Sequence, residues 1–280
     1  MPTHATAFET HTSNDAGRWV ETAAAEGRYR CIRGWTSEFL PVPRDLFIYL
    51  PRAYQQQPEQ HFPILVMHDG QNLFDGSLSY VQGSTWQVGS TADEEVAAGR
   101  VEPVIIVGVG NTGMDRMAEY TPTPDGRLGG GKGPLYARLL VEELLPLIQS
   151  DYRVLPGPAH TGLAGSSLGG LISLAVALRR PDVFGQAGVV SPSIWWDNRS
   201  ILKDVRSLAD HLPLRIWLDM GTEEGLRHVR DADLLAHVLE GKGWQKDLDL
   251  SYRRYEGAQH NEAAWAARFG EMLRFLHPAR

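Results

Sequence analysis

Short apolar runs alternate with helix-like segments along most of the chain, and this alternation limits the possible folds more than any other feature. The runs include FPILVMHDG, VEPVIIVGVGN, QAGVVSPSI and PLRIWLDMG. Continuous apolar strands that alternate with helices are typical of a mainly parallel sheet with helices on both of its faces. The sequence therefore predicts an α/β fold built on such a sheet.

The same pattern sets expectations for individual elements. RYRCIRGWTSEFL and RDLFIYLP are expected to form neighbouring strands at the sheet edge, and Gly99 is expected to close the helix TWQVGSTADEEVAAGR. Pro146 is expected to kink the helix PLYARLLVEELLPLIQSDY, because it removes one backbone hydrogen bond. No repeat or change of composition divides the chain, so we expect a single domain over residues 28–280, preceded by an N-terminal extension or arm at residues 1–27.

Charge and composition exclude several classes of function. The formal net charge of -7 disfavours binding to nucleic acid or to an anionic membrane, because both would repel the chain. The single cysteine, Cys31, excludes an internal disulfide, and no CxxC or HExxH pattern indicates a metal site. The loop GRLGGGKG matches the first part of a phosphate-binding P-loop, but it has Gly133 where that motif needs Ser or Thr. With no apolar leader at the N-terminus, we expect a cytoplasmic protein. We also expect that the protein uses no metal or organic cofactor.

The stretch HTGLAGSSLGGLISLAVALRRP holds the strongest candidate for a reactive residue. Gly165, Ser167 and Gly169 form a G-x-S-x-G pattern between a short apolar strand and a helix, as in a nucleophile elbow. The turn is so tight that a Cβ atom at either glycine would collide with neighbouring backbone. Ser167 would then lie at the helix N-terminus, where the backbone N–H of Leu168 points at a developing oxyanion. The alternative is a glycine-rich turn with an incidental serine.

A serine nucleophile needs a histidine to accept its proton and a carboxylate to orient that histidine. Of the histidines that follow, His228 and His237 fall in or beside a helix and His277 at the C-terminus, whereas His260 lies in a loop after a predicted strand. Ligands of open α/β sheets bind at that end of the strands, so His260 is the favoured base. Asp219, Glu223 and Glu224 are candidate acids, and spacing alone does not choose among them.

Several motifs together resemble the "putative esterase" family of α/β-hydrolases, which includes siderophore (enterochelin-type), feruloyl and acetylxylan esterases and S-formylglutathione hydrolases. The motifs are HDGQNLFD, RMAEYTP, YRVLPGPAHTGLAGSSLGGLISL and SPSIWWDN, and the likeness covers roughly residues 34–277. The resemblance implies the α/β-hydrolase fold and a Ser-His-acid triad. It favours Glu224 as the acid and His260 as the base, and it implies that the backbone N–H of Gln71 completes an oxyanion hole with Leu168.

Other residues are candidates for substrate binding. Trp86, Trp195 and Trp196 could line an aromatic pocket, since indole faces stack on flat rings, and the alternative for each is packing in the core. Arg116 resembles, loosely, a basic position near the substrate of siderophore esterases, and the alternative is a salt bridge exposed to solvent.

The resemblance implies a serine carboxylic-ester hydrolase that acts on a small-molecule or oligosaccharide ester. A siderophore-type, enterochelin-like substrate is favoured because such lactones are hydrolysed inside the cell and the chain shows no leader. The alternatives are a carbohydrate esterase of the feruloyl or acetylxylan type, an acyltransferase, and a non-catalytic binding module with a hydrolase fold. The sequence does not indicate an oligomeric state.

Overall fold

A nine-stranded sheet forms the centre of the computed structural model, which describes residues 19–24 and 27–279. Its strands lie in the order β1-β2-β3-β5-β4-β8-β9-β10-β11. The strands are β1 (Trp19–Ala24), β2 (Gly27–Trp35), β3 (Arg44–Tyr49), β4 (Ile64–His68), β5 (Ile105–Val109), β8 (Thr161–Ser166), β9 (Gln186–Val190), β10 (Arg215–Gly221) and β11 (Leu250–Tyr255), and the short pair β6 (Pro124–Asp125) and β7 (Gly129–Gly130) stands apart.

Helices fill the connections between the strands. They are α1 (Ala53–Gln56), α2 (Val88–Ala97), α3 (Arg116–Glu119), α4 (Gly133–Arg138), α5 (Leu145–Asp151), α6 (Leu168–Arg179), α7 (Trp196–Ser207), α8 (Leu226–Gly241) and α9 (Glu262–Leu276). All pairings from β5 across to β11 are parallel, while β1, β2 and β3 pair antiparallel. The predicted mainly parallel sheet is confirmed.

The N-terminal edge of the sheet differs from the expectation. β2 and β3 are neighbours, as predicted, but β1 lies outside them and pairs antiparallel with β2. β1 belongs to the segment 1–27 that was expected to be an extension or arm. Residues 1–18 and 25–26 of that segment lie outside the described residues, and the division of the chain at residue 28 stays a prediction.

The strands divide their side chains between two apolar cores, one on each face of the sheet. In β4, Ile64 and Val66 belong to the core beneath α6, α7 and α8, whereas Leu65 and Met67 belong to the core beneath α2 and α9. This alternation follows from the two-residue period of a strand. Because both faces are covered, the central strands β4 and β5 are buried along their whole length. Among the described residues, no helix is both long and apolar enough to cross a bilayer.

A wider helical turn precedes Pro146. A π-helical segment, Leu139–Leu144, joins α4 to α5, and Pro146 lies in the first turn of α5. A proline at the start of a helix loses no intrahelical donor, so the π turn absorbs the disruption that Pro146 would cause inside a continuous α-helix. Gly99 follows the end of α2 with a positive φ of 66°, as expected of a closing glycine.

A buried carboxylate joins α2 to α9. Glu95 accepts hydrogen bonds from Nε and Nη2 of Arg274 on α9, each at 2.7 Å. It also accepts from Nε of Arg100 at 2.7 Å. Hydrogen bonds from Arg274 and Arg100 lower the pKa of Glu95 from 4.5 to about 2.

We expect Glu95→Gln to lower the free energy of unfolding by about 1–3 kcal/mol at pH 7, because two arginines lose a charged partner. A carboxylate with a lowered pKa stabilises the fold above its ordinary pKa, and this contribution is lost as the pH falls from about 4.5 towards 2. Urea unfolding should therefore show the two proteins converging in stability over that range. An equal gap at pH 7 and pH 3 would contradict this account.

Candidate active site

Ser167 lies in a strained turn between β8 and α6. Its backbone adopts φ 60° and ψ -121°, a region that residues other than glycine rarely occupy. A Cβ atom on Gly165 would lie 3.0 Å from the backbone carbon of Gly169 and 3.0 Å from Cδ2 of His68. The two glycines thus permit the close approach of strand and helix. The turn presents Ser167, half-buried, as the residue before the first turn of α6.

His260 and Glu224 are brought together by the ends of two adjacent strands. Glu224 ends a 3-10 turn, Thr222–Glu224, directly after β10, and His260 lies in the loop after β11. His260 Nδ1 lies 2.6 Å from Glu224 Oε2. The Glu224 side chain is 2 % exposed, whereas that of His260 is 44 % exposed. The arrangement leaves the opposite ring nitrogen, Nε2, to face away from the carboxylate.

Hydrogen bonds keep Glu224 ionised despite its burial. Burial alone would raise the pKa of its carboxyl group, but hydrogen bonds from His260, Ser191 and the Gly221 backbone outweigh burial and lower the pKa. Ser191 Oγ donates to Glu224 Oε1 at 2.6 Å, and Gly221 N–H donates to the same oxygen at 2.9 Å.

The two other candidate acids lie in different surroundings. Glu223 is exposed on the surface. Asp219 is fully buried in β10, where it accepts a hydrogen bond from Trp217 Nε1 at 2.7 Å and lies 3.3 Å from Arg268 Nη2. Burial raises the pKa of Asp219 to about 6, against the opposing charge of Arg268. Of the three carboxylates, Glu224 is the one that contacts His260.

Ser167 is not yet hydrogen-bonded to His260. Among the described residues, the Ser167 hydroxyl contacts the hydroxyl of Ser193, with the two oxygens 3.3 Å apart. Ser193 also donates its backbone N–H to the carbonyl of Ser167 at 3.0 Å. Catalytic hydrogen bonds of substrate-free enzymes are often long and tighten only when substrate binds.

The segment with Gln71 forms a tight turn beside Ser167. Asp69 has left-handed backbone angles of φ 57° and ψ 47°, and Gly70–Asn72 follow as a 3-10 turn. A Cβ atom on Gly169 would lie 3.3 Å from His68 Cβ and 3.5 Å from Asp69 Oδ2, so this turn packs against the start of α6. Leu168 is the first residue of α6, where a backbone N–H has no acceptor within the helix.

Arg116 is bound to the turn that contains Gln71. Its Nε donates to Asp69 Oδ1 at 2.6 Å and its Nη2 to Asp69 Oδ2 at 2.7 Å. Asn111 Nδ2 donates to Asp69 Oδ1 at 2.7 Å, and the backbone N–H of Asn111 donates to Gln71 Oε1 at 3.1 Å. Three quarters of the Arg116 side chain is shielded from solvent. Arg116 and Asp69 thus form a largely shielded ion pair. Arg116 is neither part of an exposed salt bridge nor an unpaired cation.

A second, deeper ion pair fixes the segment that carries Arg116. Arg44 at the start of β3 donates to both oxygens of Glu119 at 3.0 and 3.1 Å, and both side chains are fully buried. The next residue, Tyr120, accepts the backbone N–H of Asp69 with its hydroxyl at 3.2 Å. The motif RMAEYTP therefore holds the turn after β4 through two contacts with Asp69, one from Arg116 and one from Tyr120.

The predicted aromatic residues divide between the core and the surface. Trp86 is 3 % exposed and packs against Trp265, with ring centroids 5.7 Å apart. Trp196 is 1 % exposed and donates its indole N–H to the Thr123 carbonyl at 2.8 Å. Trp195 is half-buried. The structure thus places Trp86 and Trp196 in the packing alternative, and Trp195 remains accessible to a ligand.

Three residues around this site were not found from the sequence. Ser191 and Ser193 flank the proline of the motif SPS at the end of β9, and Arg268 lies inside α9, where it is 2 % exposed. The proximity of the SPS motif to a strand end is the one signal that could have indicated the serines. Among the described residues, no group of three or more His, Cys, Asp or Glu side chains could hold a metal ion.

Comparison with known families identifies the class of protein. Residues 37–276 match the family described as "Putative esterase". The chain belongs to this esterase family and is a hydrolase that acts on carboxylic esters.

Curated relatives match most of the chain at low identity. The protein YbbA of Bacillus subtilis, which is uncharacterised, is 28% identical over 88% of this chain and 97% of its own length. An endo-1,4-beta-xylanase/feruloyl esterase of Xylanibacter ruminicola is 29% identical over 82% of this chain but 28% of its own length. The ferri-bacillibactin esterase BesA of Bacillus subtilis is 29% identical over 70% of this chain and 72% of its own length.

Among solved structures, an IroE-like serine hydrolase from Shewanella oneidensis aligns with a TM-score of 0.70 at 22% identity. The alignment covers 88% of this chain and 79% of that one. This likeness confirms the α/β-hydrolase-like fold.

Proposed function

We propose that the chain hydrolyses a siderophore-type, enterochelin-like ester through a triad of Ser167, His260 and Glu224. The observation that carries the triad is the 2.6 Å contact between His260 Nδ1 and Glu224 Oε2 at the same sheet edge as the strained turn of Ser167. A carboxylate on Nδ1 holds the imidazole in the tautomer whose Nε2 accepts a proton.

In the first step, the Ser167 hydroxyl turns from Ser193 towards His260 Nε2. His260 takes the hydroxyl proton while Oγ attacks the ester carbonyl, and the negative charge moves to the carbonyl oxygen. The backbone N–H groups of Gln71 and Leu168 stabilise that oxyanion, each by about 3 kcal/mol. His260 then gives its proton to the leaving alcohol. In the second half of the reaction, His260 takes a proton from a water molecule whose oxygen attacks the acyl carbonyl, and it returns that proton to Ser167 Oγ as the bond from Oγ to the acyl carbon breaks.

Exposed apolar side chains in the segments that follow β4, β5 and β10 support a substrate with aromatic or apolar groups. Met114 lies in the 3-10 turn after β5 and is 97% exposed, Tyr80 lies between β4 and α2 and is 89% exposed, and Leu226 begins α8 after β10 and is 75% exposed. Loops at the carboxyl ends of parallel strands surround the ligand in open α/β sheets. Together with half-buried Trp195, these side chains offer flat and flexible apolar contacts.

The siderophore-type substrate is favoured by the likeness to BesA. A feruloyl ester is the second candidate, because the Xylanibacter relative carries that name and a feruloyl ring would fit the same apolar edge.

A pooled-substrate assay tests the triad and the substrate together. The pool contains a ferric and an iron-free catecholate trilactone, methyl ferulate, an acetylated xylo-oligosaccharide and a p-nitrophenyl ester, with and without an acceptor alcohol. Mass spectrometry compares each product with a Ser167→Ala control, which should lose roughly a factor of 10⁴ to 10⁶ in turnover. We expect preferential cleavage of the trilactone to the free acid.

Each other outcome has a distinct meaning. Preference for ferulate or acetyl esters would replace the siderophore by a carbohydrate ester, and ester products with the acceptor alcohol would indicate an acyltransferase. Full activity of Ser167→Ala would contradict the triad. Absence of cleavage by both proteins would favour a binding module.

We expect Arg116 to affect catalysis by holding the turn that contains Gln71, and not by binding substrate. Arg116→Gln removes both bonds to Asp69, so the Gln71 N–H loses its fixed position. We expect kcat to fall by about 10-fold to 100-fold with KM within about threefold of the wild type. Lys132→Gln is the control, because Lys132 is a nearby cation that pairs with Asp115 at 3.6 Å. A large rise in KM at unchanged kcat would assign Arg116 to substrate binding instead.

A further inference from the structure

The Ser191 hydroxyl contacts three side chains, and their chemistry fixes the direction of its proton. Arg268 Nη2 lies 2.6 Å from Ser191 Oγ, and Trp265 Nε1 lies 3.0 Å from it. Guanidinium and indole nitrogens donate hydrogen bonds and cannot accept them. Both lone pairs of Oγ are therefore occupied, and its one proton is left for Glu224 Oε1 at 2.6 Å.

We propose that Ser191 is a positioning residue for the reaction, whose hydroxyl orients Glu224 and is itself oriented by Arg268 and Trp265. This inference rests on the triad proposed above. The side-chain contacts of the Ser191 hydroxyl in the described part of the chain are with Glu224, Trp265 and Arg268, and Ser191 acts on His260 through Glu224.

The two oxygens of Glu224 have separate partners. Oε1 accepts from Ser191, from the backbone N–H of Gly221 and, at 3.3 Å, from Arg268 Nη2, while Oε2 faces His260 Nδ1. A rotation of the carboxylate away from His260 would break these bonds at Oε1, and the Glu224 side chain is only 2% exposed to solvent that could replace them. Ser191 thus prevents Glu224 from leaving the imidazole.

Arg268 also balances charge behind the site. Its Nη2 lies 3.3 Å from Asp219 Oδ1 and 3.3 Å from Glu224 Oε1, so one cation separates two buried carboxylates. The guanidinium lies over the Tyr255 ring, 5.1 Å from its centroid, and the Tyr255 hydroxyl donates to Glu271 on the outer side. His260 is the remaining titratable group that faces this network, through Glu224.

The backbone of Ser191 makes glycine the suitable replacement. Its φ is 42°, a value that glycine adopts without strain and other residues rarely adopt. Ser191→Gly therefore removes the hydroxyl without opposing the local backbone. Trp265→Phe is a second variant, because it removes one donor to Ser191 and keeps an aromatic ring.

The test compares the pH dependence of kcat/KM in the wild type, Ser191→Gly and Trp265→Phe. Without the Ser191 hydroxyl, Glu224 can turn away from His260, so the protonated imidazole loses part of the carboxylate charge that stabilises it. We expect the acid limb of the profile to move down by about half a pH unit or more, with kcat about 10-fold lower. Trp265→Phe should move the limb in the same direction by less.

Two controls separate a positioning role from general damage. Ser251→Ala removes a fully buried hydroxyl on β11 that has no hydrogen-bond partner among residues 19–24 and 27–279, and we expect its profile to match the wild type. Arg274→Lys changes an arginine of the same helix that pairs with Glu95 instead. Thermal unfolding of each variant shows whether lost activity follows lost stability.

An unmoved acid limb in folded Ser191→Gly would overturn the inference, even with reduced kcat. If Ser191→Gly does not fold, an unmoved acid limb in Trp265→Phe would overturn the inference. Loss of activity in Ser167→Ala with an unmoved limb in the Ser191 variant would refute Ser191 alone and leave the triad standing. Activity retained in Ser167→Ala would refute the triad itself.

Discussion

The carboxyl ends of the parallel strands lie at one edge of the sheet, and the proposed chemistry depends on that geometry. The loops after β4, β8, β10 and β11 carry the turn of Gln71, the turn of Ser167, Glu224 and His260. Residues more than 90 positions apart in the chain, such as Ser167 and His260, therefore lie at the same edge of the sheet. The strain at Ser167 is tolerated because β8 and α6 on either side of it are buried and fixed.

Buried ion pairs hold the two halves of the site. Arg44 and Glu119 fix the segment that carries Arg116, and Arg116 in turn holds Asp69 beside Ser167. On the other side, Arg268 lies between Asp219 and Glu224. Removing one member of a buried pair leaves an uncompensated charge, which is strongly unfavourable. These ion pairs thereby restrict each half of the site to one arrangement.

The sequence predicts the sheet and its helices because apolar periodicity reports directly which side chains are buried. The G-x-S-x-G turn is equally visible, since only glycines permit the approach of Gly165 to Gly169. The partners of the arginines are not visible. Nothing in RMAEYTP shows that Arg116 bonds to a residue 47 positions away, or that Arg268 of an ordinary amphipathic helix reaches two carboxylates. Such pairings depend on the order of the strands in the sheet, which the sequence does not show. The place of β1 at the sheet edge is another feature that depends on this order.

The most direct test of the central claim is to identify the residue that becomes covalently modified. An active-site-directed fluorophosphonate reacts with a serine only where a base and oxyanion donors activate it. Peptide mapping by mass spectrometry after brief treatment should find one phosphonyl group, on Ser167, and none on its neighbours Ser166, Ser191 and Ser193. Labelling of Ser193 or Ser166 in place of Ser167, or no labelling of the folded protein, would contradict the account.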